Sequence, residues 1–127
     1  MQEKVSVLVI DAEEIIVASI AKALGRGQVP KYEVIGANTP LDGLKLMRER
    51  LFDIIIMDMA LPGVDGLEVL RRIKSTNPSV HVIVMSGYSP DRSFLNTVMA
   101  SADAFLPKPF TYGEIASSIS LILPGGG

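Results

Sequence analysis

Apolar residues along this chain follow two alternating rhythms. Short, nearly continuous runs occur at Val5–Ile10, Tyr32–Ala37, Asp53–Met57, Val80–Met85 and Asp103–Leu106. Their length and β-branched content predict strands. Between them, apolar residues recur every three or four positions, as an amphipathic helix requires: Ile16, Ile20 and Leu24, stopping at Gly25; Leu41, Leu44, Met47 and Leu51; Leu67, Leu70 and Ile73; Leu95, Val98 and Met99; and Ile115, Ile119 and Ile122. Entry signals support several of these helices. Thr39 is placed as a cap ahead of Pro40 at a first helical position, Ser89 and Pro90 open the fourth helix, and Thr111 with Glu114 forms a capping box.

Strand and helix therefore alternate along the chain. Strands joined by helical crossovers pair in parallel, so the pattern predicts an α/β fold: a flavodoxin-like, doubly wound, five-stranded parallel sheet of order 2-1-3-4-5 with five helices. The first, third and fourth runs are apolar on both faces, as central strands covered on both sides should be. Residues 1–123 are read as one domain, and residues 124–127, part of the segment LPGGG, as a tail or linker start.

Composition narrows the function classes. The hydrophobic fraction is 48% and the charged fraction 20%, and no apolar run reaches the roughly 18 residues of a membrane span. The opening MQEKVSVLVID does not resemble a signal peptide, so a cytoplasmic, non-membrane protein is expected. Twelve basic against fourteen acidic residues leave a formal charge of -2, without the cationic excess that nucleic-acid binding calls for. Arg71 to Lys74 (RRIK) reads as a solvated helix face. Without cysteine there is no disulfide, thiolate nucleophile or Cys-type zinc site, and the single histidine, His81, reads as a structural strand residue.

In an open parallel sheet, ligands bind beyond the carboxyl ends of the strands. Polar residues gather at those ends: Asp11, with Glu13 and Glu14, after the first; Asp58 at the third; Ser86 and Gly87 at the fourth; Lys108 after the fifth. Each alone has a plain structural explanation, Asp11 as a helix cap and Lys108 as a solvated charge, for example. Independent capping does not explain all of them on one edge. Clustered carboxylates at a shallow rim suit Mg²⁺, which takes oxygen ligands and keeps several waters. A carboxylate there can also act as a nucleophile and form an aspartyl phosphate.

The segments VLVIDAEE, DIIIMDMALPGVDG, VIVMSGY and LPKPFT, in that order, resemble the receiver domain of bacterial two-component response regulators. The resemblance implies a signalling domain rather than an enzyme in the ordinary sense, although such domains catalyse their own phosphorylation and dephosphorylation. It implies that Asp58 accepts a phosphoryl group from a histidine kinase or phosphotransfer protein, with Mg²⁺ held by Asp11, Asp58 and the backbone carbonyl of Ala60. Ser86 matches the switch hydroxyl, Phe105 the switch aromatic, and Lys108 the lysine that pairs with the phosphorylated carboxylate. Lys108-Pro109 resembles the family's cis peptide. Pro62, Gly63 and Gly66 shape the loop beside the site.

One position departs from the pattern. Ala12 stands where the family usually has a second acidic residue, a common direct metal ligand, so a weakened Mg²⁺ site is expected, with Glu13 as a further candidate ligand. The positions that tune phosphoryl lifetime are Ala60 and Tyr88. The aromatic Tyr88, which lacks a good base at neutral pH, points to slow hydrolysis. Output is expected through the face formed by the fourth helix, fifth strand and fifth helix, read by a partner or an attached output domain, with the domain itself a monomer or weak dimer. The chain ends after the fifth helix, so it is read as working alone or as part of a longer regulator or hybrid kinase. Two competing readings stand beside this one. A pseudo-receiver would keep the fold as a phosphorylation-independent interaction module. A Mg²⁺-dependent phosphatase would need a second acid and a cap, for which 127 residues leave little room.

Overall fold

A computed structural model of the protein describes residues 4–25, 31–61, 63–87 and 91–123. Its elements run β1 (Lys4–Ile10), α1 (Glu14–Leu24), β2 (Lys31–Ala37), α2 (Pro40–Glu49), β3 (Ile54–Asp58), α3 (Gly66–Thr76), β4 (His81–Ser86), α4 (Arg92–Met99), β5 (Ala104–Pro107) and α5 (Tyr112–Ile122). All strand pairings are parallel, in the order β2-β1-β3-β4-β5, the predicted flavodoxin-like topology.

Alternation along each strand divides the core in two, because successive side chains leave opposite faces of a sheet. Leu8, Ile10, Ile55, Met57, Val82 and Val84 meet Leu44 and Met47 of α2, Leu70 and Ile73 of α3 and Val98 of α4. Val7, Val9, Ile54, Ile56, Ile83 and Met85 meet Ile20 and Leu24 of α1 and Ile115 and Ile119 of α5. Every residue of β3 is buried, so β3 is the centre of both layers. No helix among the described residues is long and apolar enough to cross a membrane.

Local signals act largely as the sequence predicts. Thr39 accepts a hydrogen bond from the Asp42 amide ahead of α2, and Thr111 and Glu114 complete a reciprocal capping box on α5. Two details differ. Helix α4 begins at Arg92, capped by Asp91, whose Oδ1 accepts from the Phe94 amide at 2.8 Å; Ser89 and Pro90, read as its opening, lie outside the described residues. Leu51 does not continue the buried stripe of α2. The helix ends at Glu49, and Leu51 is 80% exposed. The departure point has a physical cause: the Arg50 guanidinium is held by Glu33 and Ser6 and lies 4.9 Å from the Phe52 ring centroid, drawing the chain onto the edge of the sheet. Leu41, in the same stripe, is also exposed, whereas Leu44 and Met47 are buried.

At the amino end of the sheet, Asp53 does more than precede a strand. Its Oδ2 accepts from the Ser6 amide at 2.8 Å and its own amide donates to the Ser6 carbonyl at 2.9 Å, fastening β3 to β1. His81 opens β4 half-buried, its Nδ1 3.7 Å from Asp103 Oδ1, which fits the structural role expected for it. Residues 124–127, read as a tail, lie outside the described residues.

Candidate functional site

The strand order makes β1, β3, β4 and β5 consecutive neighbours, so their carboxyl ends form one continuous rim. Asp11 directly follows β1, Asp58 closes β3, Ser86 closes β4 and Lys108 directly follows β5. Asp58 stands in register with Met85, the residue before Ser86, and Ser86 with Pro107, the residue before Lys108. Backbone bonds carry the ladder past the strand ends: the Met59 amide donates to the Met85 carbonyl at 2.9 Å, and the Lys108 amide to the Ser86 carbonyl at 2.8 Å. The sequence separations are large, but the sheet leaves these residues side by side.

Lys108 is the hub. Its Nζ donates to Asp11 Oδ2 at 2.8 Å and to Asp58 Oδ2 at 3.2 Å. Asp11 is fully buried, and Asp58 and Ser86 are 9% and 7% exposed. Two carboxylates taken out of water repel each other unless a cation sits between them, and the ammonium supplies that charge. Burial is the largest single influence on Lys108 and pulls its pKa down. The hydrogen bonds that Lys108 donates to Asp11 and Asp58, with the charges of those carboxylates, together outweigh it and leave the pKa raised. The other oxygen of each carboxylate is held by a backbone amide two residues ahead: Asp11 Oδ1 accepts from Glu13 at 2.9 Å and Asp58 Oδ1 from Ala60 at 3.0 Å. These local turns fix both carboxylates before any ligand arrives.

The loop after β3 is shaped by two glycines. Gly63 adopts a positive φ of 75°, which side-chain-bearing residues rarely take. At Gly66 a Cβ would lie 2.5 Å from the Met59 carbonyl oxygen, so only glycine lets α3 start this close to the residue after Asp58. Pro62 lies outside the described residues. The Lys108-Pro109 peptide is cis, as the resemblance implied. Phe105, registered with Val84, is partly buried against the core layer shared with α2, α3 and α4.

Ala12 is exposed and carries no ligand atom on its side chain, and Glu13 is exposed at the N-cap of α1. Among the described residues no group of three His, Asp or Glu side chains is arranged to hold a metal ion. The donors that are present nevertheless fit a hard divalent cation. Each carboxylate oxygen has a second lone pair beyond the hydrogen bond it accepts, and Mg²⁺ needs only one or two carboxylates when water and phosphate oxygens complete its shell. Ala60 is exposed at the rim, while Tyr88 lies outside the described residues.

Sequence reasoning missed one feature. Ala12, Asn38, Thr39, Pro40, Leu41, Leu61 and Val64 line a largely apolar hollow of about 420 Å³ beside the rim. The sequence does not mark it: the helical stripe predicts a buried Leu41, which the structure leaves exposed. A hollow of about 440 Å³ along β5 and α5, reaching Phe105 and Leu121, is separate from the carboxylates.

Comparison with known proteins agrees with the geometry. The sequence profile of the response regulator receiver domain matches residues 7–120. The transcriptional regulatory protein ZraR of Klebsiella oxytoca is 34% identical over 118 residues, covering 93% of this chain; the chain spans only 26% of that relative's length. The crystal structure of a response regulator receiver domain protein from Clostridium thermocellum superposes with a TM-score of 0.80 at 28% identity, covering 92% of each chain. A response regulator from Burkholderia pseudomallei, solved with a phosphorylated aspartic acid, a calcium ion and citrate, superposes with a TM-score of 0.77 at 27% identity, covering 90% of this chain and 65% of its own. With its parallel 2-1-3-4-5 sheet and its carboxyl-edge rim, the chain belongs to the response regulator receiver domain family, the signalling domains of two-component systems.

Proposed function

We propose that the chain is a phosphoacceptor switch in a histidine-to-aspartate phosphorelay, phosphorylated on Asp58. The observation that carries this reading is the placement of the Lys108 ammonium between the buried Asp11 and Asp58 carboxylates. A carboxylate oxygen of Asp58 attacks the phosphorus of a phosphohistidine on a kinase or phosphotransfer protein. The phosphorus–nitrogen bond breaks, and the imidazole leaves with the electron pair and takes a proton from water. Lys108 stays beside the transferred group and offsets charge on its oxygens, while the Ala60 amide keeps the carboxylate oriented. Asp11, Asp58 and the Ala60 carbonyl would hold a divalent cation, which when bound supplies further charge neutralisation to the phosphoryl oxygens. Ala12 leaves that set one carboxylate short, so its affinity in the resting protein is weak; Glu13 reaches it only by turning inward.

Phosphorylation places about -1.5 to -2 charges and new acceptor oxygens at the rim. The Ser86 hydroxyl moves toward them, and Phe105 turns inward behind it, remodelling the face of α4, β5 and α5 that an output partner or attached output domain reads. This is a shift between two arrangements, no larger than the phosphoryl group's preference between them. Tyr88, two positions after Ser86 in the sequence, favours slow hydrolysis over the open route left by Ala60.

Ala12 favours one other reading, a pseudo-receiver whose surface works without phosphorylation. Incubation with Mg²⁺ and a small acyl-phosphate donor, followed by intact-mass measurement, separates the two. The switch gives an added phosphoryl mass that Asp58→Asn abolishes. The pseudo-receiver gives none, and steady hydrolysis of external phosphate esters would instead indicate a phosphatase.

A further inference from the structure

From Asp11 across Asp58 to Lys108 the carboxyl edge of the sheet is ionic. On the β2 side it turns apolar. The hollow of about 420 Å³ is walled by Ala12 after β1, Asn38 to Leu41 after β2, and Leu61 and Val64 between β3 and α3. Two of these three loops also carry the site: Ala12 directly follows Asp11, and Leu61 stands three residues past Asp58. No charged side chain lines the hollow, and its two polar ones are engaged with the backbone. Thr39 Oγ1 accepts from the Asp42 amide at 3.1 Å, and Asn38 Nδ2 donates to the Ala12 carbonyl at 3.5 Å. Leu61 is buried, whereas Leu41 and Val64 are 74% and 42% exposed. An isolated exposed leucine needs no explanation. Two exposed apolar side chains around one concave apolar surface leave burial free energy unrealised until something fills it.

Position selects the occupant. A body resting there permanently, such as a second copy of the chain, would lie over the loops of Asp11 and Asp58 and obstruct a phosphodonor's approach to Asp58. An occupant that arrives with the phosphoryl group and departs with the spent donor meets no such conflict. We propose that the hollow is a recognition subsite for the phosphodonor, taking an apolar group that the donor carries beside its phosphoryl group. This rests on Asp58 being the phosphoacceptor. The donor is then gripped at two places, by its phosphoryl oxygens on the ionic side and by apolar contact on the β2 side. That contact is the same before and during transfer, so it raises the second-order rate constant of donors that carry such a group and leaves a compact donor unaffected. Leu41, Leu61 and Val64 are specificity residues that do not touch the reacting atoms.

The test is a homologous series of donors, acetyl, butyryl and hexanoyl phosphate, with the phosphoryl mass followed over time in Mg²⁺. In each case an Asp58 oxygen forms the new bond to phosphorus as the acyl phosphate's phosphorus–oxygen bond breaks, and the carboxylate leaves with the electron pair, so only chain length varies. Burying a methylene is worth up to about fourfold, and an open hollow gives about twofold or more for each. Hexanoyl phosphate should therefore react about tenfold or more faster than acetyl phosphate. In the double variant Leu41→Gln, Val64→Thr, which keeps size and charge at two exposed positions, the advantage should fall to about threefold or less with the acetyl phosphate rate unchanged. Methyl NMR supplies a readout independent of transfer: hexylphosphonate should shift the Leu41, Leu61 and Val64 methyl signals, and methylphosphonate should not. Equal rates along the series, in protein that does take a phosphoryl group from acetyl phosphate, would overturn the subsite and leave the phosphoacceptor reading standing. An advantage that survives in the double variant would remove the hollow as its cause. A dimer in sedimentation that Leu41→Gln dissolves would assign the hollow to a second copy and overturn the proposal. No adduct from any donor, with the hexylphosphonate shifts present, would overturn the phosphoacceptor reading and the donor subsite with it.

Discussion

Replacing Lys108 with methionine tests whether the ammonium holds the rim together. Methionine keeps much of the aliphatic stem and removes the charge. Asp11 Oδ2 and Asp58 Oδ2 both lie within hydrogen-bond reach of the same nitrogen, at 2.8 and 3.2 Å, which puts them no more than about 6 Å apart. At an effective dielectric of about 20, two such negative charges repel by about 3 kcal/mol. Truncating one partner of a buried ion pair costs about 3–5 kcal/mol. Lys108 itself retains some solvent contact, with 15% of its side chain exposed, and water softens both figures. A loss of about 2–4 kcal/mol is expected in the presence of a chelator, measured as the shift in urea midpoint at unchanged slope. Millimolar Mg²⁺ should recover part of it, because the cation replaces the missing charge, and Lys108→Arg should lose less than Lys108→Met. A Lys108→Met variant as stable as the unsubstituted protein in chelator would refute the reasoning.

Other consequences are smaller or more local. Gly66→Ala drives a Cβ against the Met59 carbonyl and should cost about 1–3 kcal/mol while slowing phosphorylation of Asp58; an equilibrium melt and an adduct time course check both. Thr111→Ala removes one half of the capping box on α5 and should cost about 1 kcal/mol in chemical denaturation without changing the rate of adduct formation. The hydrogen bond from Arg50, with its charge, holds the Glu33 carboxyl below the usual glutamate range. A lowered folded-state pKa contributes stability at pH values above the unfolded-state value, and that contribution is lost as pH falls through the folded one. The gap in urea midpoint between the unsubstituted protein and Glu33→Gln should therefore be full at neutral pH and close below about pH 4. A constant gap would show that Glu33 acts through packing alone.

The fold was readable because its signals are local. The strands β3 and β4 are apolar on both faces, and α2 and α5 carry caps that act through contacts three residues apart. The start of α4 was misread because Ser89-Pro90 offers the same composition as a helix entry, whereas the bond that caps the helix comes from Asp91. Leu51 was misread because a stripe of apolar residues does not record where the chain leaves the helix. That point is set by Arg50 reaching Glu33 and Ser6, 17 and 44 residues away.

The site divides in the same way. Polar residues at strand ends announced a rim, since strand ends are local features. The bridging role of Lys108 spans 97 residues to Asp11 and 50 to Asp58; its strand end put it on the same rim, and the family resemblance paired it with Asp58. Its bond to Asp11 emerged from the fold alone. The hollow lined by Ala12, Leu41, Leu61 and Val64 likewise depends on three loops meeting, which no spacing in the sequence encodes.

The central claim is that Asp58, and no other side chain, takes the phosphoryl group. Reducing the phosphorylated protein with borohydride converts an acyl phosphate to an alcohol, and peptide mapping then identifies the altered residue. The account predicts homoserine at position 58 in protein treated with donor and cation, and unaltered aspartate in protein that was not. Reduction at Asp11, at Glu13 or at no residue in donor-treated protein would contradict it.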